Sequence, residues 1–318
     1  MQHNTLCEAA VYADSEGDQK GNIDSMTINY QQPLWRPPSE GSNLIIQATY
    51  GCSFNKCSFC VMYRSKKYQA RPLEAVMREI ETAAHDWPDA SRVFLADGDA
   101  LVLPTNHLSL LLERLAQAFP RLTRVSCYAT PSNILRKSTD ELAQLRRHKL
   151  TLIYLGIESG SDFILGRINK GATRRSLSEA LHKAHVAGLK VSGTVILGLG
   201  GTRHWEEHID GTVALLNSAP LNQLSTLQFY LDNSISVEFH HRYSEPFEMP
   251  DDYAMLHELK RLIAGLNPPQ PIIFRSNHAS NALALEGNLP RDRDRLLAEI
   301  EQAMCGAKAL RPNHLRGM

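Results

Sequence analysis

Tyr50-Gly51-Cys52-Ser53-Phe54-Asn55-Lys56-Cys57-Ser58-Phe59-Cys60 places three cysteines in one short loop, directly after the apolar run Leu44-Ile45-Ile46-Gln47-Ala48-Thr49. Three thiolates so close together can hold an iron-sulfur cluster, and no fourth cysteine lies nearby to close the last iron. An open iron is a place to bind and activate a ligand.

Four readings compete for this C-x4-C-x2-C spacing. A disulfide fits poorly, because three is odd and the chain shows no secretory segment. Structural zinc needs a fourth nitrogen or sulfur at finger-like spacing, yet the next histidine is His85 and the next cysteine Cys127. A plant-type ferredoxin uses the same spacing with a later fourth cysteine, a place Cys127 could take. Such carriers are small, however, whereas this chain repeats a strand-helix pattern. The fourth reading is a site-differentiated [4Fe–4S] cluster that binds S-adenosylmethionine.

Outward from the loop, the pattern is regular. Leu73 to Asp86 has helical spacing, Arg92-Val93-Phe94-Leu95-Ala96 reads as a strand, and Asn106 to Phe119 as a helix ended by Pro120. Arg124 to Tyr128 and Asp140 to His148 repeat the unit. Leu152 to Ile157 with a helix near 173–187, Lys190 to Leu197 with a helix near 204–216, and Leu224 to Leu231 continue it. Six such units call for a parallel sheet with right-handed crossovers, an α/β fold curled into a partial (β/α)6 TIM-like barrel. Residues 1–40 lack periodicity and read as an N-terminal leader or cap, 41–235 as the barrel, and 236–318 as a C-terminal helical extension closing it.

In such barrels the loops at the carboxyl ends of the strands build the active site. The chemistry-bearing motifs follow strands here: the cysteine loop, Asp97-Gly98-Asp99, Gly156-Ile157-Glu158-Ser159-Gly160 and Gly198-Leu199-Gly200-Gly201. Lys plus Arg equal Asp plus Glu at 34 each, so no basic excess advertises nucleic acid as partner. Arg64-Ser65-Lys66-Lys67 reads as a solvated basic loop. No apolar run approaches the ~20 residues needed to span a bilayer. Half of the six cysteines share one loop, which fits a reducing, cytoplasmic setting.

With Met62-Tyr63 and Arg71-Pro72 following it, the cysteine loop resembles that of the radical S-adenosylmethionine superfamily, nearest its Elp3/MiaB/NifB-like branch. The usual spacing there is C-x3-C-x2-C, so this loop matches a group carrying one extra residue. The resemblance implies a [4Fe–4S] cluster on Cys52, Cys57 and Cys60, S-adenosylmethionine as cofactor, a small-molecule substrate and an external one-electron donor such as flavodoxin or ferredoxin. It places Asp97, Gly98 and Asp99 at the methionyl ammonium, where a carboxylate suits a compact cation. It places Glu158 near the methionyl or ribose polar groups, with an ion pair to Arg174 or Arg175 as the plainer alternative. Phe59, Ile196 and Leu197 fall beside the adenine, and Ser192 beside the ribose. The common family outcome is a 5′-deoxyadenosyl radical. Transfer of a 3-amino-3-carboxypropyl group, for example to arsenic, is the alternative, and an electron carrier or sensor without turnover is a third reading.

The carboxyl-terminal third carries Arg275, Asn277, His278 and Asn281 in one polar run. That run either binds a polar substrate at the barrel mouth or is a loop satisfying its own backbone. His204 and His208 stand four apart on a helix, read as a solvated face for want of a third metal ligand. Cys7, Cys127 and Cys305 are scattered and read as packing residues. No second cysteine cluster or cobalamin-binding segment is visible, so the expectation is a minimal single-cluster enzyme.

Overall fold

A computed structural model describes residues 28–317, and Cys7 and most of the expected leader lie outside the described residues. The strands are β1 (Leu44–Gln47), β2 (Thr49–Tyr50), β3 (Gln69–Ala70), β4 (Arg92–Ala96), β5 (Arg124–Ala129), β6 (Leu150–Glu158), β7 (Lys190–Leu197), β8 (Gln223–Gln228), β9 (Ile272–Ser276) and β10 (Leu285–Leu289). The helices are α1 (Leu73–Asp86), α2 (Thr105–Ala118), α3 (Pro131–Arg136), α4 (Thr139–Arg147), α5 (Asp162–Arg167), α6 (Arg174–Val186), α7 (Trp205–Ser218), α8 (Ser236–Tyr243), α9 (Asp252–Gly265) and α10 (Arg293–Met304).

Eight strands form one sheet in the order β1-β4-β5-β6-β7-β8-β9-β10. Every neighbouring pair from β1 to β9 is parallel, and only β10 runs antiparallel, against β9. The fold is thus the expected α/β partial barrel of six strand-helix units, β1 and β4 to β8. The sheet then continues beyond the sixth strand. The start of the polar run, through Ser276, belongs to β9 (Ile272–Ser276), so the carboxyl-terminal third supplies a hairpin as well as helices. The eighth-strand boundary also moves: the apolar run to Leu231 leaves the sheet at Gln228.

Side-chain alternation divides the molecule into two faces. Val93, Leu95, Ile153, Leu155, Ile157, Val191, Val195 and Leu197 point to the helix layer and join one large core with the apolar stripes of the helices. The opposite positions Phe94, Leu152 and Tyr154 point inward and pack with Ile45 and Ala96. Phe94, Tyr128 and Tyr154 meet edge to face, with ring centroids 5.2–6.2 Å apart. Beneath them the buried Glu40 carboxylate accepts from Arg124, Ser126 and Tyr154, the last at 2.6 Å. Glu40 and Arg124 lie at the amino-terminal end of this cluster, and Tyr128, next to last in β5, reaches toward the cysteine loop.

Candidate functional site

The cysteine loop is tied down on both flanks. Arg64 donates to the carbonyls of Cys57 (2.7 Å) and Cys60 (3.1 Å), Asn55 donates to the Tyr63 carbonyl (2.8 Å), and the Ser58 amide donates to Ile168 O (3.0 Å). Asn169 holds the Lys56 carbonyl at 2.7 Å, and the Phe54 ring lies against Gly171. Backbone carbonyls are thereby consumed, and the three thiols stay free and half-buried.

Asp97 and Asp99 have different tasks. Both are fully buried; Asp97 Oδ2 accepts from Lys66 Nζ (2.8 Å), Gly51 N (3.0 Å) and Gln47 Nε2 (3.2 Å). It fixes the entry to the loop rather than facing its opening. Lys66, expected in a solvated loop, is buried as the partner of this carboxylate. Asp99 accepts from the Ser53 amide at 2.8 Å and from the Ser53 hydroxyl, just past Cys52. Burial pushes its carboxyl above the usual range, against the pull of Ser53 and Asn133. Gly98 donates to Gly51 O (3.0 Å) and has no room for a side chain: a Cβ there would stand 2.7 Å from Cys52 Cβ.

At the end of β6, Glu158 adopts φ 61° and pairs with Lys170 at 2.8 Å, both largely buried. Its partner is Lys170, while Arg175 pairs with Glu179 and the Arg174 amide bonds Asp162. Burial works against the Lys170 ammonium, but Glu158 and Cys57 together outweigh it and hold it charged. Burial pushes the Cys57 thiol up to about 12 against the pull of Lys170, and raises Cys60 and Cys52 as well. Lys170 is the site cation that the sequence conceals, twelve residues from its partner in a turn whose only mark is Asn169-Lys170-Gly171.

Phe59 and Ile196 pack against one apolar cluster built from Ile164, Ile168, Leu199, Phe229, Phe239 and Tyr243, which forms the apolar wall beside the loop. Leu197 points the other way, into the helix-facing core. Ser192 is buried on the inner face two residues below Thr194. Arg64 reaches Glu238 of α8 at 3.4 Å and links this wall to the cysteine loop.

The remaining expected residues lie further off. Asn281 is buried, accepting from Gln228 N and donating to Thr226 O, both at 2.8 Å, so it pins β8. His278 bonds Ser280, Asn277 reaches Glu286, and Arg275 faces Glu286 across the hairpin. His208 is not solvated: it is fully buried, with Nδ1 to Ser159 Oγ (2.8 Å) and Nε2 to Ile196 O (2.9 Å). His204 pairs instead with Glu245 at 2.6 Å. Cys127 is a core residue, whereas Cys305 is exposed rather than packed.

The donor set suits an iron-sulfur cluster. Three soft sulfur ligands share one loop, and burial keeps them protonated until metal charge holds them as thiolates. The Lys170 ammonium beside Cys57 and Cys60 offsets part of the negative charge that such a cluster brings.

Residues 46–214 match the Radical SAM superfamily. Among curated relatives, the tRNA-2-methylthio-N(6)-dimethylallyladenosine synthase of Bordetella avium is 25% identical over 287 residues, covering 83% of this chain and 56% of that protein. The ribosomal protein uS12 methylthiotransferase RimO of Caldanaerobacter subterraneus is 26% identical over 160 residues, covering 48% and 35%. The chain thus spans roughly half or less of the length of these relatives. The solved structure of coproporphyrinogen III oxidase from Escherichia coli shares the fold, with a TM-score of 0.54 at 17% identity over 70% of this chain and 51% of that one. No described helix is long and apolar enough to cross a membrane. The chain belongs to the radical SAM superfamily, whose members use a [4Fe–4S] cluster and S-adenosylmethionine.

Proposed function

We propose that this chain is a radical S-adenosylmethionine enzyme with one cluster on Cys52, Cys57 and Cys60, acting on a small polar substrate in the cytoplasm. The observation carrying this reading is the set of three free thiols on one loop, two of which, Cys57 and Cys60, stand in the field of the buried Lys170–Glu158 pair. When bound and reduced, the cluster supplies one electron to the sulfonium, and a C–S bond breaks.

The chain's own residues then have separable tasks. Asp99, fixed by Ser53 beside Cys52, offers a carboxylate to the methionyl ammonium. Lys170 supplies a positive charge where the methionyl carboxylate and the thiolates gather, and Glu158 orients it. Phe59 and Ile196 offer apolar surface to the adenine. The aromatic wall of Phe229, Phe239, Tyr243 and Phe247 excludes water from that flank. An external one-electron donor completes the system.

Anaerobic reconstitution, reduction with dithionite and chromatography of the products test this directly. 5′-Deoxyadenosine is the expected product. 5′-Methylthioadenosine would instead assign transfer of the aminocarboxypropyl group, and intact cofactor would leave an electron carrier. The names of the relatives speak of tRNA and of a ribosomal protein. Turnover that required either macromolecule would overturn the small-molecule assignment.

A further inference from the structure

We infer that the inner faces of β7, β8 and β9 form the substrate track, and that it takes an elongated polar molecule whose terminal carboxylate is held by Arg275. This rests on the function proposed above and names the substrate class for that same site.

Strand register carries the argument. Paired residues share a face, so two continuous rows cross the inner surface. One runs Tyr154, Ser192, Gln223, Ile273, Asn288, and the other Gly156, Thr194, Ser225, Arg275, Glu286. Over β4 to β6 the interior is filled by Phe94, Tyr128 and Tyr154. From β7 onward the rings give way to hydroxyls and amides, with Ile273 the one apolar side chain in the two rows, and Thr194, Ser225 and Gln223 are only half-buried. A hydrogen-bonding surface of this kind inside a barrel suits a polar occupant better than a core.

The second row begins directly under the proposed reaction site. A Cβ on Gly156 would displace the Glu158 carboxylate and stand 2.7 Å from Lys170 Nζ, so the bare backbone here leaves room for that ion pair. From Gly156 to Arg275 is three strand steps, about 14 Å at ~4.8 Å per step. Arg275 is the cation at the far end. Its Nε lies 3.7 Å from Glu286 Oε2, with 43% and 66% of the two side chains exposed, a loose pair in water. Its remaining contacts are to carbonyls, Phe274 O at 2.8 Å and Gly287 O at 3.5 Å. A ligand carboxylate can therefore replace Glu286 at the guanidinium with better geometry.

N-acetyl-triglycine and its carboxyl-terminal amide are matched probes, each roughly 11–14 Å when extended. Binding of both to the reconstituted protein with S-adenosylmethionine is read by ligand-observed NMR titration. The track predicts that the carboxylate binds at least about tenfold tighter than the amide. It further predicts that Arg275→Gln erases the difference, while Arg275→Lys keeps part of it. Ser225→Val should weaken both probes alike. Equal binding of the two probes, binding of neither, or a preference surviving Arg275→Gln would overturn the inference. Cofactor cleavage by the same wild-type preparation keeps the two ideas apart: cleavage without carboxylate preference removes the track alone, and preference without cleavage removes the proposed function alone.

Discussion

Replacing Lys66 by Met tests whether the buried Lys66–Asp97 pair sets the cysteine loop. The pair is 2.8 Å long with 3% and 0% of its side chains exposed, and Asp97 Oδ2 also receives the Gly51 and Gln47 donors. Removing one partner of a buried pair typically costs about 3–5 kcal/mol. Here the lower end applies, because Asp97 keeps two hydrogen bonds and burial already pushes its carboxyl above the usual range, easing protonation. Asp97→Asn should cost a similar amount by leaving the buried ammonium without a counter-charge, its other contacts being the Gln31 carbonyl and the Tyr63 ring. Lys66→Met/Asp97→Asn removes both charges and leaves an amide oxygen for the Gly51 N–H. Its cost should fall short of the sum of the singles by at least about 2 kcal/mol. Anaerobic urea unfolding measures the three stabilities, and iron per chain reports the loop. A loss below about 1 kcal/mol for Lys66→Met, or strict additivity in the double variant, would refute the reasoning.

Three further outcomes follow from the buried polar groups and the close helix packing. Burial pushes Glu258 up to about 8, so the folded chain holds a proton that the unfolded one releases near ~4.3. Its stabilising contribution is complete below ~4.3 and is lost as pH rises through about 8, at no more than ~1.4 kcal/mol per pH unit. Unfolding of Glu258→Gln measured from pH 5 to 8 should therefore show a shallower decline than the parent. His208 has the opposite sign: burial pushes it down to about 4, so its contribution is present above ~6.5 and lost as pH falls, and His208→Gln should flatten the acid limb. Gly160 packs on the Gly211 carbonyl of α7, so Gly160→Ala must move the helix and should cost about 3 kcal/mol, seen in urea unfolding and in weaker S-adenosylmethionine binding.

The parallel strands were legible because each is a short apolar run closed by a turn, and Lys190–Leu197 and Leu73–Asp86 fall where their patterns put them. β9 escaped notice because its two faces do not separate by polarity: Ile272, Phe274 and Ser276 are buried while Ile273 and Arg275 face the barrel. Alternation over five residues with an arginine and an adjoining Asn-His run reads as loop. Partners far apart in sequence are invisible for a different reason. Lys66 and Asp97 lie 31 residues apart, His208 and Ser159 lie 49 apart, and periodicity carries no information about such pairings. The cysteines were readable because their chemistry depends on local spacing alone.

The most direct measurement is electron paramagnetic resonance of the anaerobically reconstituted, dithionite-reduced protein, recorded before and after adding S-adenosylmethionine. The account predicts one reduced [4Fe–4S] signal per chain that changes shape when the cofactor binds, and that disappears in Cys52→Ala, Cys57→Ala and Cys60→Ala. A two-iron spectrum, or a four-iron spectrum indifferent to the cofactor, would contradict it.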